Sequence, residues 1–296
     1  MNIVSSGSSV CFRKTLLVGV IWAGWFALVT TCVHAQNLFE ADYGSGNIYE
    51  FTPGGVRSTF ATGIDLPFGL AFNSTGDLYV TATGSGIIYE YTPGGARSTF
   101  ASGLVNPAGL AVDSAGDLFE ADYGSGMIYK FTPGGTKSIF ASGLSFPDAL
   151  AMNSAGDLFE ADYGSGNIFE FTPGGTKTTF ASGLSGPNGV AVNGSGNVFE
   201  TDLYSGQIFE FTPGGVKSTF ASGLTTATAL AFDSANNLFV ANNASGNILE
   251  FTPGGTRSTF ASGLNPFGLA FQPVPEPSAL AMLALGSIAI YCRRRR

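Results

Sequence analysis

The stretch EADYGSGNIYEFTPGG, Glu40 to Gly55, returns almost unchanged as EADYGSGNIFEFTPGG from Glu160 to Gly175. An aromatic residue followed by TPGG begins at Phe51, Tyr91, Phe131, Phe171, Phe211 and Phe251, so the period is 40 residues and the copies number six. A fixed period of this kind marks a repeat architecture in which each unit buries its apolar face against its neighbours. Within one copy, Gly, Pro, Asn and Asp divide the chain into four short apolar runs, NLFEAD, NIYEFT, RSTFASG and FGLAFN, separated by YGSG, PGG, IDLP and STGD. Runs so short and so closely punctuated are strands joined by tight turns. The pattern predicts an all-β chain: a six-bladed β-propeller of four-stranded antiparallel blades over residues 37–272.

The ends of the array predict how the ring closes. It opens on NLFEAD, the second strand of a blade, and finishes on FGLAFQ, Phe267 to Gln272, which has the pattern of a first strand. The last strand is therefore expected to complete the first blade and to remove an open sheet edge.

With TPGG taken as the loop of the outer hairpin, Phe51 faces Val56 and Glu50 faces Arg57. The same register sets Glu90 against Arg97, Glu170 against Lys177, Glu210 against Lys217 and Glu250 against Arg257, while the third blade sets Lys130 against Lys137. Opposite charges paired across strands contribute roughly 0.2 to 1 kcal/mol each, which suits a register-setting role. The repeated aromatics, Phe51 and Phe60 among them, are expected to pack blade against blade, each stabilising by about 1.5 to 3 kcal/mol.

Charge narrows the partners. Between Asn37 and Gln272 seven Lys/Arg stand against twenty Asp/Glu, a formal charge of -13. Such a surface repels phosphate backbones, so nucleic acid is not an expected partner. Cys11, Cys32, Cys292, His34, Trp22 and Trp25 all lie in the end segments, which leaves the body without Cys, His or Trp. Disulfides, thiolate chemistry and Ser-His or Cys-His nucleophilic mechanisms are thereby excluded from it.

Both end segments have the form of addresses. In residues 1–35, Arg13 and Lys14 precede the apolar TLLVGVIWAGWFALV, and VHA at Val33 to Ala35 has the small residues of a cleavage site. This predicts a helical signal peptide and a mature chain beginning near Gln36. A second reading takes Cys32 as a lipoprotein cysteine, although Thr31 stands where Gly, Ala or Ser is usual. Residues 274–296 read VPEPSALAMLALGSIAIYCRRRR, with an apolar part at about 279–292 that is shorter than the ~20 residues of a comfortable membrane span. Arg293, Arg294, Arg295 and Arg296 would hold its end on the cytoplasmic side, giving a stop-transfer tail with a transmembrane helix. The tail closely resembles the PEP-CTERM sorting signal, with Pro275, Glu276 and Pro277, a short hydrophobic helix and a basic cluster in order. That resemblance implies transient residence in the inner membrane of a Gram-negative-type bacterium and processing by exosortase-like sorting machinery. It further implies delivery to the cell surface or an extracellular polysaccharide matrix. A plain membrane anchor without processing is the alternative.

Function is sought where the copies disagree. In a four-stranded blade the loop between second and third strands and the connection into the next blade emerge on one face. Two positions there vary from blade to blade. At the start of the inner strand stand Phe68, Ala108, Asp148, Asn188, Thr228 and Phe267, and at the end of the second strand stand Asp42, Ala82, Asp122, Asp162, Asp202 and Asn242. Setting Asn153 opposite Asp157 puts Asp148 beside Asp162, and the equivalent register puts Asn188 beside Asp202. Three carboxylates and an amide would then gather at the tunnel mouth, a set of oxygen ligands suited to Ca²⁺ or another hard divalent cation. The other reading has each Asp at the end of a second strand accepting from the amides of its own loop. Glu40, Glu120, Glu160 and Glu200 lie two residues earlier on the same strand face, either deepening the negative field or meeting backbone donors.

NPAGLAVDSAGDLFEADYGSGMIYKF, Asn106 to Phe131, resembles the NHL repeat, and the similarity extends over all six copies. The resemblance implies a propeller of a broad clan that includes binding scaffolds, regucalcin and gluconolactonase-type metal-dependent lactonases, and virginiamycin B lyases. The lactonases hold their metal with a Glu and Asn/Asp residues at the starts of inner strands. PNG at Pro187 to Gly189 and PDA at Pro147 to Ala149 are similar to two of those positions, but no inner strand starts with Glu and Ala149 replaces Gly. The lyases are expected to use a histidine, and the body has none. Two functions follow as expectations: a non-catalytic scaffold that binds a polysaccharide or an envelope protein, or a divalent-metal-dependent lactonase built on Asp148, Asp162, Asn188 and Asp202. The low divergence among copies favours the scaffold, since a catalytic centre draws different groups from different blades.

Overall fold

The structure is a computed structural model and describes residues 36–274, together with a short antiparallel pair formed by Phe12–Thr15 and Thr30–Val33. The apolar centre of the expected signal peptide, Pro275 to Pro277, the tail helix and the four arginines lie outside the described residues. Residues 37–272 form the predicted propeller, six separate four-stranded antiparallel sheets. Blade 2, for example, runs Pro67–Phe72, Leu78–Ala82, Ile87–Tyr91 and Arg97–Ser102 from the axis outward.

Blade 1 is closed as expected. Its inner strand, Pro266–Phe271, pairs with Leu38–Asp42, and Asn47–Phe51 and Arg57–Ala61 complete the sheet. The clasp continues beyond the ladder, where the Gln272 amide donates to the Asn37 carbonyl at 3.0 Å and the Gln36 side chain donates to the Gln272 carbonyl at 3.0 Å.

The second strands are buried on both faces, which is why they read as apolar runs rather than alternations. Phe39 and Ala41 pack toward blade 2, while Leu38 packs back onto Phe239, Ala241 and Ile248 of blade 6. The aromatics behave as expected. Each outer-strand phenylalanine crosses to the third strand of the next blade: Phe60 to Tyr91, Phe100 to Phe131, Phe140 to Phe171, Phe180 to Phe211, Phe220 to Phe251 and Phe260 to Phe51, with ring centroids 5.6 to 5.8 Å apart. Each such pair contributes about 0.5 to 1.5 kcal/mol beyond the area it buries, and one stands at each of the six blade junctions.

The outer-hairpin register differs from the expectation by one residue. Thr52 faces Val56, its carbonyl accepts from Gly55 at 2.8 Å, and Gly55 is left-handed with φ 77°. The loop is thus the three residues PGG, a type I turn with a glycine bulge, and not TPGG. A one-residue slip changes every partner. Arg57 now faces Phe51, and Glu50 faces Ser58. The expected charge ladder does not form. Instead, the cation lies over the aromatic ring two residues before its partner, as Arg57 over Tyr49 at 4.9 Å, Lys177 over Phe169 at 4.1 Å and Lys217 over Phe209 at 3.5 Å. An exposed cation–π contact contributes about 0.5 to 1 kcal/mol and leaves a charge on each outer edge, where it discourages sheet-to-sheet pairing. Lys130 is answered across blade 3 by Asp117, 2.7 Å away, so it does not oppose Lys137.

The inner strands converge on the axis so closely that a Cβ at Gly268 would collide with the Phe68 carbonyl oxygen of the neighbouring blade. Gly268→Ala is expected to lower stability by about 2 to 3 kcal/mol in urea unfolding, because the Phe68 backbone would have to shift to make room. Gly254→Ala, in an open hairpin tip, is expected to stay within about 0.5 kcal/mol of wild type.

Candidate functional site

The face that carries the second-to-third-strand turns is held together by a repeated latch. Asp162 Oδ1 accepts from the Ser165 amide at 3.0 Å, within its own turn, and Oδ2 accepts from the Ser145 amide at 2.8 Å, in the connection arriving from blade 3. Asp202 does the same with Ser205 at 3.1 Å and Ser185 at 2.7 Å, and Asp42 and Asp122 repeat the arrangement. Asn242 takes the connection amide of Thr225 at 2.8 Å, while Ala82 of blade 2 has no side chain to do so.

The inner strands do not continue the simple register from which the four-residue metal cluster was expected. Asn153 does oppose Asp157, but Pro147 pairs with Asp162 and Ala149 with Ala161, which leaves Asp148 in a bulge. Asn188 sits in the corresponding bulge of blade 5. Released from the ladder, the two side chains turn to each other, and the Asn188 Nδ2 donates to Asp148 Oδ2 at 2.8 Å. The structure therefore brings Asp148 and Asn188 together and commits Asp162 and Asp202 to loop amides. Among the described residues, no group of three or more His, Cys, Asp or Glu side chains is disposed to hold a metal ion. Asp148 Oδ1 and Asn188 Oδ1 remain without a protein partner, and they are the donor atoms from which any cation site here would start. Burial raises the Asp148 carboxyl to about 8, so it is mostly protonated at neutral pH.

The six variable residues at the inner-strand starts divide the mouth into two unlike halves. Asp148, Asn188 and Thr228 form the polar side, although the Thr228 hydroxyl already donates to the Pro266 and Phe267 carbonyls. Phe68 and Phe267 form the apolar side, 5.4 Å apart by ring centroid, with Tyr43 stacked on Phe267 at 4.4 Å. Below the mouth the axis narrows to a cavity of about 60 Å³ lined mainly by Gly, Ala, Leu and Val. A larger groove of about 270 Å³ opens on the opposite face between blades 1 and 2, lined by Phe39, Phe60, Phe72 and the 92–95 hairpin, away from these variable residues.

The second-strand glutamates match neither expectation. Glu40, Glu120, Glu160 and Glu200 are 0 % exposed and none of their carboxyl oxygens has a protein partner. Each shares a strand face with a residue packed on the preceding blade, so each lies in a blade seam where blades 2 and 6 place Val80 and Val240. Burial, reinforced by the neighbouring Asp42, Asp122 or Asp202 and opposed by Arg57, Lys137 or Lys217, raises Glu40, Glu120 and Glu200 to about 9. Glu160, facing Asp162, Lys177 and Asp148, is likewise raised well above its ordinary value by burial. These groups are neutral at pH 7, so the body is much less acidic than its formal charge.

Comparisons with known proteins agree with this architecture. Residues 273–296 match the PEP-CTERM protein-sorting motif. No curated protein matches the chain. Among solved structures, a chain of a nidogen/laminin complex is similar at TM-score 0.75 and 19 % identity, covering 81 % of this chain and 99 % of that one. Virginiamycin B lyase from Staphylococcus aureus is similar at TM-score 0.61 and 16 % identity, covering 77 % and 85 %. A putative gluconolactonase is similar at TM-score 0.63 and 16 % identity, covering 71 % and 82 %. At these identities the likeness is one of fold.

The seam glutamates give a pH dependence of definite sign. A carboxyl whose value rises from about 4.5 unfolded to about 9 folded binds more protons in the native state, so its contribution is complete below about 4.5 and is lost as pH rises through about 9. Thermal unfolding followed from pH 6 to pH 9.5 is expected to show a falling Tm. Glu120→Val, which copies blades 2 and 6, is expected to flatten that slope and to stabilise at pH 8 by about 1 to 3 kcal/mol, the cost of an unpartnered buried polar group.

Proposed function

We propose that this chain is an exported, non-catalytic binding scaffold, cut from its signal peptide near Gln36, sorted through its C-terminal tail and displayed at the cell surface or in a polysaccharide matrix of a Gram-negative-type bacterium. The observation that carries this reading is the use of the acidic residues. Asp42, Asp122, Asp162 and Asp202 are occupied in fastening turns, and Glu40, Glu120, Glu160 and Glu200 are neutral in blade seams. What varies across the open face is a mouth with one apolar and one polar side, the composition of a recognition surface. The sorting motif at 273–296 supports export through membrane-associated exosortase-type machinery, and the expected partners outside it are an envelope polysaccharide or protein. The nidogen/laminin neighbour, a propeller chain from a complex of proteins, is consistent with a scaffold.

A second reading keeps the lactonase. It is favoured by the free Oδ1 atoms of Asp148 and Asn188, which would begin a site for Ca²⁺ or another divalent cation, and by the fold shared with a putative gluconolactonase. In that reading Asp162 and Asp202 would have to exchange their loop amides for the metal, and the bound cation would polarise a lactone carbonyl.

The two are separated by one assay on the purified exported protein, using a lactone panel with Ca²⁺, Mn²⁺ and Zn²⁺ alongside sedimentation with isolated envelope polysaccharide. Binding without metal-dependent turnover is the expected result. Turnover that requires the metal and disappears in Asp148→Ala would overturn the scaffold.

A further inference from the structure

The latched face carries an aromatic rim that the variable polar positions do not reveal. Tyr123, Tyr163 and Tyr204 lie in the turns of blades 3, 4 and 5, and Phe146 ends the connection into blade 4. Their rings form a continuous arc. Tyr123 lies 5.0 Å from Phe146 and 6.4 Å from Tyr163, and Tyr163 lies 6.2 Å from Tyr204, with neighbouring rings tilted by 30° to 48°. The phenol oxygens of Tyr163 and Tyr204 are hydrogen-bonded to each other. Phe146 is 49 % exposed and Tyr204 69 %, so large ring surface is left facing solvent.

The backbone shows that the fold does not require an aromatic residue at this point of the arc. Phe146 has φ 56°, a left-handed conformation that costs a bulky residue about 1 to 2 kcal/mol. It is held there so that its carbonyl can accept from the Tyr163 amide at 3.3 Å. In the next blade the same duty, toward the Leu203 amide at 3.0 Å, is done by Gly186 at φ 73° without that strain. The connection therefore needs a left-handed residue and not a phenylalanine. Leu66, Asn106 and Thr226 hold the same left-handed conformation at the corresponding position of blades 2, 3 and 6, so the conformation belongs to the connection and only the aromatic ring is particular to blade 4.

A third observation defines the chemistry beside the arc. Asp148 Oδ1 and Asn188 Oδ1 are buried without protein partners at the polar side of the mouth. Asp148 is close enough to add to the upward shifts of both tyrosines: burial is the main cause for Tyr123, and the Tyr204 hydrogen bond is the main cause for Tyr163, which rises to about 12. Together these features ask for a ligand with apolar C–H faces to lie on the rings and hydroxyls at its edges that can accept from the neutral Asp148 carboxyl and donate to Asn188 Oδ1, carrying no negative charge. Nucleobases would also stack on such rings, but their phosphates are repelled by the acidic body. From this arrangement we infer that Tyr123, Phe146, Tyr163 and Tyr204 form a stacking platform for an uncharged hexopyranose chain, whose hydroxyls reach Asp148 and Asn188. This rests on the scaffold reading and specifies its ligand class.

The test is calorimetric titration of the exported protein with hexamers of β-linked glucose, mannose and N-acetylglucosamine, with a hexauronate as the anionic comparison. At least one neutral hexamer is expected to bind and the hexauronate is not. Tyr204→Ala and Phe146→Gly are each expected to weaken that binding at least tenfold, while Phe146→Gly keeps or raises Tm, a combination that a merely structural role would not produce. The inference is overturned if no neutral hexamer binds, if the hexauronate binds as well, or if both variants bind as wild type does. It is equally overturned if the rim variants lose an envelope protein instead of a glycan. None of those outcomes produces metal-dependent turnover, so each would leave the scaffold standing.

Discussion

Everything in this molecule depends on how closely six inner strands can approach one axis. The seam is set by backbone: the carbonyl at the start of one inner strand lies where a Cβ of its neighbour would stand at Gly268, and Gly69, Gly109 and, less tightly, Gly189 repeat that contact, while blades 4 and 6 fit Ala149 and Ala229 there. Farther out, the gap between diverging sheets is filled by the aromatic pairs from Phe60 and Tyr91 round to Phe260 and Phe51. Small residues at the hub and large rings at the rim are the two ends of one geometric requirement, a wedge-shaped blade. Because each wedge leans on both neighbours, the seams admit few changes, such as Val80 and Val240 in place of a glutamate, and the near-identical copies differ mainly on the latched face.

The blade count, strand order and closing strand were legible in the sequence because they depend on periodicity and turn residues alone. Registers were less so. TPGG and PGG contain the same glycines, and only the bond from Gly55 to the Thr52 carbonyl decides which loop forms; a single residue of difference replaced a ladder of ion pairs with cations over rings. The bulge at Asp148 was hidden for a related reason. Counting outward from the Asn153–Asp157 turn assumes an uninterrupted ladder, whereas the shift between Pro147 and Ala149 redirects Asp148 to Asn188. The positions that differ were therefore found, but their grouping was not.

Burial was the second quantity the sequence concealed. A glutamate alternating with Phe and Ala on a strand gives no sign of whether its face meets solvent or another blade, and Glu120 could have been either. Val80 and Val240, at the same position in two blades, were the available signal that the site is apolar. The aromatic rim was missed for the opposite reason. Tyr123 and Tyr163 stand in the repeated YGSG turn and look like architecture, and only their contact with Phe146 and Tyr204, residues peculiar to single blades, sets them apart.

The direction of the closing strand also orients the whole disc. Pro266 lies on the latched face and Phe271 on the other, so the chain leaves the ring at Gln272 on the side away from the mouth, next to Gln36. Both ends of the propeller thus lie on the underside, so the segments that lead into and out of the ring leave the mouth and its rim unobstructed.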